Sequence, residues 1–421
     1  MILVQNLLQQ LSGNKGKLSV ALASSLVLFS CSVKQPTVLK SPDYSGKTEQ
    51  PSDKDREEEK EKEVSENAVE KYAGKNIALL LPFQLNKVAS DQIEEEDVKR
   101  SAMALDFYQG FQLGLEEAAG KKDNFQLRVL DSEDQEHTNA KLAISKDLED
   151  AALVIGPVYP NEIKAFGNSS SNRSVLQVNP LAATMPREFG LPNLVSLTPS
   201  IEVHQHAMAR LLHENQRLGD QILVLNNNDS DSKQWLTRLT DMLRDDELEY
   251  REVNSANQLE DVLELSGINH IVLGTNNRFL VSTLIQNLNE WKEKGYEFRI
   301  YGHPMWSRFD FSSLDDVDGL QVTITSESHL PRNSMAKSRF DRKYEDTFLV
   351  RPSDNSYKGY DAGKYFGELL AKHGANYPDE LLERSFKGLF SSYEFDYNPE
   401  WGFSNHSVVY KVFSRGEFTI Q

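Results

Sequence analysis

From Asn76 onward, short uninterrupted apolar runs alternate with longer segments in which apolar residues recur every three or four positions. That alternation constrains the fold more than any other feature of the chain. Ile77-Ala78-Leu79-Leu80-Leu81 is apolar throughout and is closed by Pro82, the pattern of a strand buried on both faces. Phe107, Phe111, Leu113 and Leu115 then fall in a helix ending near Ala119-Gly120. A strand over 125–130, a helix over 140–148, a strand over 151–155 ending in Gly156-Pro157, a short helix over 161–166 and a strand over 175–178 follow. After a longer helix over 201–212 the series begins again. Strands over 221–225, 248–253, 270–273 and 298–301 enclose helices over 235–243, 259–265 and 280–288. Such alternation requires a mostly parallel sheet covered on both sides. Two series predict an α/β chain of two doubly wound lobes facing a crevice. The loops at the carboxyl ends of the strands are where open α/β sheets bind ligands.

The first residues differ in kind. Lys15 and Lys17 precede an apolar run from Leu18 to Phe29, which has the length of a signal-peptide core and falls short of the roughly 20 apolar residues needed to span a bilayer. The run ends in Leu28-Phe29-Ser30-Cys31. This resembles the lipobox of bacterial lipoproteins, with an aliphatic residue three before the cysteine and a small one just before it, although Phe29 is bulkier than usual at its place. The resemblance implies cleavage before Cys31 and a membrane anchor through lipid on that residue. Cys31 is also the only cysteine, so an intramolecular disulfide and a multi-cysteine metal site are excluded. Ser32 stands where many diderm bacteria place Asp to retain a lipoprotein in the inner membrane, which points to the outer membrane instead.

Three segments are therefore expected: a signal peptide over 1–30, an acidic linker over 31–72 and a folded part over 73–421. The linker carries the charge run Asp53-Lys54-Asp55-Arg56-Glu57-Glu58-Glu59-Lys60 and too little apolar surface to offset its ordering entropy. Within the folded part, the first lobe is expected over about 75–200 with a returning segment near 320–375. The second is expected over about 215–318 with the C-terminal part.

Several segments together carry a family resemblance. Ile77-Ala78-Leu79-Leu80-Leu81-Pro82, Asp106-Phe107-Tyr108-Gln109-Gly110-Phe111, Val154-Ile155-Gly156-Pro157-Val158-Tyr159, Asn179-Pro180-Leu181-Ala182-Ala183-Thr184 and Tyr357-Lys358-Gly359-Tyr360-Asp361-Ala362 resemble, in order, segments of the type I periplasmic-binding-protein fold of branched-chain amino-acid receptors. The resemblance implies a ligand-binding protein that serves a transporter. In amino-acid receptors of that family, the loop after the third strand supplies a hydroxyl to the ligand carboxylate. Aligned on Gly156, that place holds Pro160, which has neither hydroxyl nor N–H. Tyr159, Ala183 and Thr184 remain as first-lobe candidates, and Asn227, Thr275, Asn276 and Trp306 as second-lobe ones. Trp306 either stacks on a ligand or plugs the hinge side of the crevice. A second resemblance is to outer-membrane lipoproteins that activate peptidoglycan synthases, in which the same two-lobed fold is a protein–protein module. A small polar ligand with a transporter permease, and an envelope synthase, both stay open as partners.

The formal net charge of −18 argues against nucleic acid and against electrostatic docking on anionic lipid. No Walker A loop, G-x-S-x-G, H-E-x-x-H or G-x-G-x-x-G pattern is present, so neither a catalytic residue nor a cofactor is expected. His204, His206 and His213 lack a carboxylate at ligand spacing and read as surface histidines rather than metal ligands. Asp310, Asp315, Asp316 and Asp318 lack the order of a calcium loop and read as a solvated turn.

Overall fold

The computed structural model describes residues 39–40, 75–88, 93–120, 124–311, 317–330 and 333–421. The expected signal peptide, Cys31 and nearly all of the acidic linker lie outside the described residues, as do Asp315 and Asp316. Strands β1 (Leu39–Lys40), β2 (Asn76–Leu81), β3 (Gln126–Asp131), β4 (Leu153–Ile155), β5 (Leu176–Asn179) and β6 (Leu194–Ser196) open the chain. Between them lie helices α1 (Glu95–Ala119), α2 (Glu136–Leu142) and α3 (Pro160–Ser169). Helix α4 (Ile201–Asn215) leads into β7 (Gln221–Leu225), α5 (Ser230–Asp245), β8 (Tyr250–Val253) and α6 (Ala256–Glu260). Then come β9 (Ile268–Leu273), α7 (Arg278–Glu293), β10 (Glu297–Tyr301), β11 (Val322–Ser326), α8 (Met335–Phe348) and α9 (Asp354–His373). Six short strands finish the chain: β12 (Phe386–Lys387), β13 (Ser392–Tyr393), β14 (Phe395–Asn398), β15 (Gly402–Asn405), β16 (Val409–Ser414) and β17 (Glu417–Ile420).

The first sheet runs β1-β3-β2-β4-β5-β6-β15-β14 and the second β17-β16-β11-β10-β9-β7-β8. In each, five consecutive parallel strands start in the middle, step once to one side and then continue on the other, the doubly wound order with its switch point beside the first strand. Strand β2 explains why its sequence is apolar throughout. Ile77, Leu79 and Leu81 pack with Phe107 and Phe111 of α1 and Phe366 of α9. Ala78 and Leu80, on the opposite face, pack with Phe166 of α3. In the second lobe Leu223 and Leu225 face Leu284 and Leu288 of α7, whereas Ile222 and Val224 face α4 and α5 through Met208, Leu212 and Trp235. Each core is therefore split by its sheet into two apolar layers.

Among the described residues the chain passes between lobes at 197–200, at 327–330 and at 406–408. Helix α4 packs on the second sheet, so the first passage precedes it. The second passage follows β11 and delivers α8 and α9 to the first lobe, where α9 lies against α1. Strand β15 runs parallel beside β6, and β16 then pairs antiparallel with β11, Val409 opposite Ser326. All three passages thus join the carboxyl ends of the two parallel sheets. Asn405 laces two of them: its Nδ2 donates to the Leu197 carbonyl at 2.8 Å and its Oδ1 accepts from Ser407 N at 3.0 Å.

Helices α1 and α9 meet backbone to backbone. A Cβ on Gly110 would collide with the Ser356 carbonyl, and one on Gly359 with the Phe107 carbonyl. Further along α9, Asp361 is wholly buried and accepts from the N–H groups of Leu389, Phe390 and Ser391 at 2.6, 2.8 and 2.8 Å. Burial pushes its carboxyl up to about 6 against those three donors.

Candidate binding crevice

Because every passage joins carboxyl ends, the loops that follow the strands of one lobe face those of the other. On the first lobe the switch point lies between β2 and β4. Gly156 has φ 101°, and a Cβ there would run into the Leu80 carbonyl, so only glycine lets the loop after β4 pass this close to β2. The loop then turns into α3 at Tyr159, a residue 38% exposed. Pro160 is the first helical residue, a place where a missing N–H costs nothing. Glu162, 2% exposed, turns back and accepts from Tyr159 N at 3.2 Å and from Asn139 Nδ2 at 3.0 Å. Burial lifts its carboxyl above the usual range against the donors Ser132, Tyr159 and Asn139, and the charge of Asp134 lifts it further. The α3 N-terminus is thus already served by a carboxylate of the chain itself. Next along, Asn179 clamps its loop by donating to the Ala182 carbonyl at 2.8 Å and accepting from Ala182 N at 2.9 Å. This holds exposed Ala183 and half-buried Thr184 beyond β5.

On the second lobe the switch point lies between β7 and β9. Asn227 and Asn276 follow these two adjacent strands, and both are half-buried. The Oδ1 atom of each is buried and accepts no hydrogen bond from the described residues. Both oxygens are enclosed in this structure, so a ligand donor reaches them only when the side chains turn outward. Thr275 and Trp306 behave differently, which corrects the expectation that they meet a ligand. Thr275 is 1% exposed; its Oγ1 accepts from Asn277 N at 3.1 Å and its carbonyl accepts from Trp306 Nε1 at 2.9 Å. Trp306 is fully buried, lies over Gly302 and packs on Phe309 and Phe311, with ring centroids 6.3 and 6.0 Å away. It belongs to the core of the second lobe and has no face left for stacking. At the rim, Phe279 and Met305 are instead the exposed apolar residues.

No family model matches the chain, and no curated protein matches it. Solved structures do. A protein described as a branched-chain amino acid ABC transporter of Rhodospirillum rubrum superposes with a TM-score of 0.59 at 14% identity, over 82% of this chain and 99% of that one. An ABC transporter substrate-binding protein of Desulfitobacterium hafniense, in complex with Leu, gives a TM-score of 0.50 at 15% identity over 82% and 99%. One from Sphaerobacter thermophilus gives 0.51 at 14% over 82% and 95%. The fold is that of the type I periplasmic binding proteins. At these identities the likeness extends to the fold and no further.

The histidines settle separately. His206 and His213 are exposed on α4. His204 is not a surface residue: it is buried, with Nδ1 2.9 Å from Thr325 Oγ1, and burial depresses it to about 4. His303, after β10, is also depressed to about 4 by burial, against the pull of Asp231 and Asp229; its ring lies 5.2 Å from that of Trp235. Among the described residues, no three His, Cys, Asp or Glu side chains converge as a metal site. Asp310 is exposed. Sequence reasoning passed over Glu162, although its place three residues after Tyr159 is the spacing of a reciprocal helix cap.

Proposed function

We propose that this chain is a non-catalytic binding protein of the bacterial cell envelope, tethered through lipid on Cys31, whose two lobes close on a small polar ligand. The observation that carries the reading is the pair of facing switch points. Tyr159, Ala183 and Thr184 stand on one lobe, and the unpaired acceptors of Asn227 and Asn276 on the other. An asparagine amide turned towards the crevice offers a ligand both an acceptor and N–H donors. The α3 N-terminus already has the Glu162 carboxylate, which accepts from Tyr159 N. That arrangement disfavours a second carboxylate and favours an ammonium, amide or hydroxyl end. The solved relatives include a substrate-binding protein with Leu bound, which supports an amino-acid-like size and a transporter permease as partner. Thermal-shift measurements on the full chain against amino acids, amides and peptidoglycan fragments test the reading. A ligand held at a hundred times its Kd adds about 2.7 kcal/mol of stability, and a flat response across all three sets would refute it.

One observation favours a second reading, that of a scaffold regulating an envelope synthase from the outer membrane. Pro160, which the resemblance to amino-acid receptors sets where a hydroxyl would meet the ligand carboxylate, opens α3, and Glu162 already accepts from Tyr159 N beside it. Crosslinking of the tethered protein, followed by identification of what it captures, separates the two. A synthase supports the scaffold; a transporter permease alone removes it. Metabolic labelling with palmitate, compared between the native chain and Cys31→Ser, tests the tether in either case.

A further inference from the structure

A cavity of about 280 Å³ opens on the first lobe between α8, α9, the last turn of α1 and the turn after β12, and shares none of the crevice residues. Helix α1 starts at the carboxyl edge of its sheet, so Glu117, in its last turn, stands at the end remote from the crevice. The volume is close to the lower end of small-molecule sites, about 300–1,000 Å³. Helix α8 supplies one wall, because Ala336, Arg339, Phe340 and Lys343 recur three and four apart and share a face. Buried Phe340 makes a floor with Tyr360, their ring centroids 4.8 Å apart. Half-buried Phe386 and Leu389 complete the apolar lining.

The charge around this floor is one-sided. Four cations, Arg339, Lys343, Lys364 and Lys387, meet one carboxylate, Glu117, on a chain whose formal charge is −18. Both oxygens of Glu117 are occupied: Oε1 accepts from Lys364 Nζ at 2.7 Å and Oε2 from the Tyr360 hydroxyl at 2.6 Å. Lys343 pairs with Glu116 at 3.3 Å. Arg339 and Lys387 are exposed, and neither makes an ion pair or hydrogen bond among the described residues. Two cations, one on α8 and one beside the turn, are therefore available to an anion at an aromatic floor. Charges are screened over about 8 Å at physiological ionic strength, so the groups of the wall outweigh the net charge of the chain.

We propose that this cavity binds a small aromatic carboxylate, independently of the crevice. The ring lies against Phe340 and Tyr360, where offset or edge-to-face contact is favourable. The carboxylate meets the guanidinium of Arg339, whose fork matches both oxygens, and the ammonium of Lys387. A neutral amide of the same shape turns N–H groups towards cations and forfeits both ion pairs.

Phenylacetate and phenylacetamide share one shape and differ in charge, so they form the test. Each is titrated into the ¹⁵N-labelled full chain, and amide shifts are followed over 336–343, 360–364 and 386–389. Phenylacetate is expected to shift these amides saturably, and phenylacetamide to leave them in place. Arg339→Gln and Lys387→Gln, both at exposed positions, are each expected to weaken phenylacetate about 2- to 5-fold, and the double variant about 10-fold. Arg251→Gln removes an exposed cation on β8 of the second lobe and is expected to leave the affinity unchanged. Crevice amides over 156–160 and 183–184 report separately. Saturable shifts confined to them would assign the carboxylate to the crevice and overturn the proposal. So would absence of saturable shifts, equal binding of phenylacetamide, or an affinity unchanged in the double variant.

Discussion

Trp306 offers the sharpest test of the crevice, because sequence leaves it between a ligand contact and a core residue. Trp306→Ala removes a fully buried indole from among Gly302, Phe309 and Phe311. Truncating a buried Phe or Trp to Ala costs about 3–5 kcal/mol in transfer and cavity terms. The indole also donates to the Thr275 carbonyl at 2.9 Å, and leaving that acceptor bare adds about 1 kcal/mol or more. The expected loss is therefore about 4–6 kcal/mol, confined to the second lobe. Trp306→Phe keeps much of the ring and forfeits the N–H, for about 1–3 kcal/mol. Urea unfolding followed by far-UV circular dichroism measures both, with each lobe fitted as its own transition, since two lobes need not unfold together. The midpoint should fall at an unchanged m-value, and ligand affinity at temperatures below the transition should stay within about twofold. If both variants keep their stability within about 1 kcal/mol and lose tenfold or more in affinity, Trp306 acts on the ligand and the core assignment is wrong.

Three further outcomes are expected. His204 is depressed to about 4 by burial, so the unfolded chain takes up its proton below pH 6.5 while the folded chain does so only near 4. Its neutral form contributes about 3 kcal/mol above pH 6.5 that is lost as pH falls through about 4. Urea titrations of His204→Gln should lose stability less steeply than the native chain over that window, and parallel curves would remove His204 as the cause. Gly110→Ala drives a methyl into the Ser356 carbonyl and should cost about 2–3 kcal/mol; thermal melting at the native midpoint would mean that α1 and α9 stand further apart. Asp361→Asn at pH 8 puts an NH₂ against backbone N–H groups that now meet a carboxylate oxygen. It should cost about 2–3 kcal/mol, with faster amide exchange at Leu389, Phe390 and Ser391 as the local signature.

Much of the parallel framework is legible before folding because strand and helix periods are local. The apolar run at β2 reports burial on both faces without reference to any partner strand. Boundaries are less legible. The helix expected over 140–148 occupies 136–142 and is followed by a 3₁₀ turn over 146–148, and the one expected over 259–265 occupies 256–260. The C-terminal strands escape a reading by uninterrupted apolar runs: β16 is half-buried at five of its six positions, and only the strand preference of Val409, Tyr410, Val412 and Phe413 marks it. His204 fails for a related reason, since the burial of a helix face depends on which sheet the helix packs against.

Asn227 and Asn276 could be placed in advance because the end of a strand fixes where the next loop stands. Whether such a loop residue faces the crevice or the core is another matter. Thr275 adjoins Asn276 in sequence yet is buried and bonded to Trp306 and Asn277, while Asn276 is half-buried with its amide oxygen unpaired among the described residues. The sequence by itself determined the alternation, the two doubly wound series and the loops available for binding, since all of these follow from periods of two and 3.6 residues. Only the tertiary structure decided that three passages join the carboxyl edges, that Glu162 serves the α3 N-terminus, and that Trp306 fills a core. Each of these depends on contacts between residues far apart in the chain, and no local period records what will lie on the other side of a side chain.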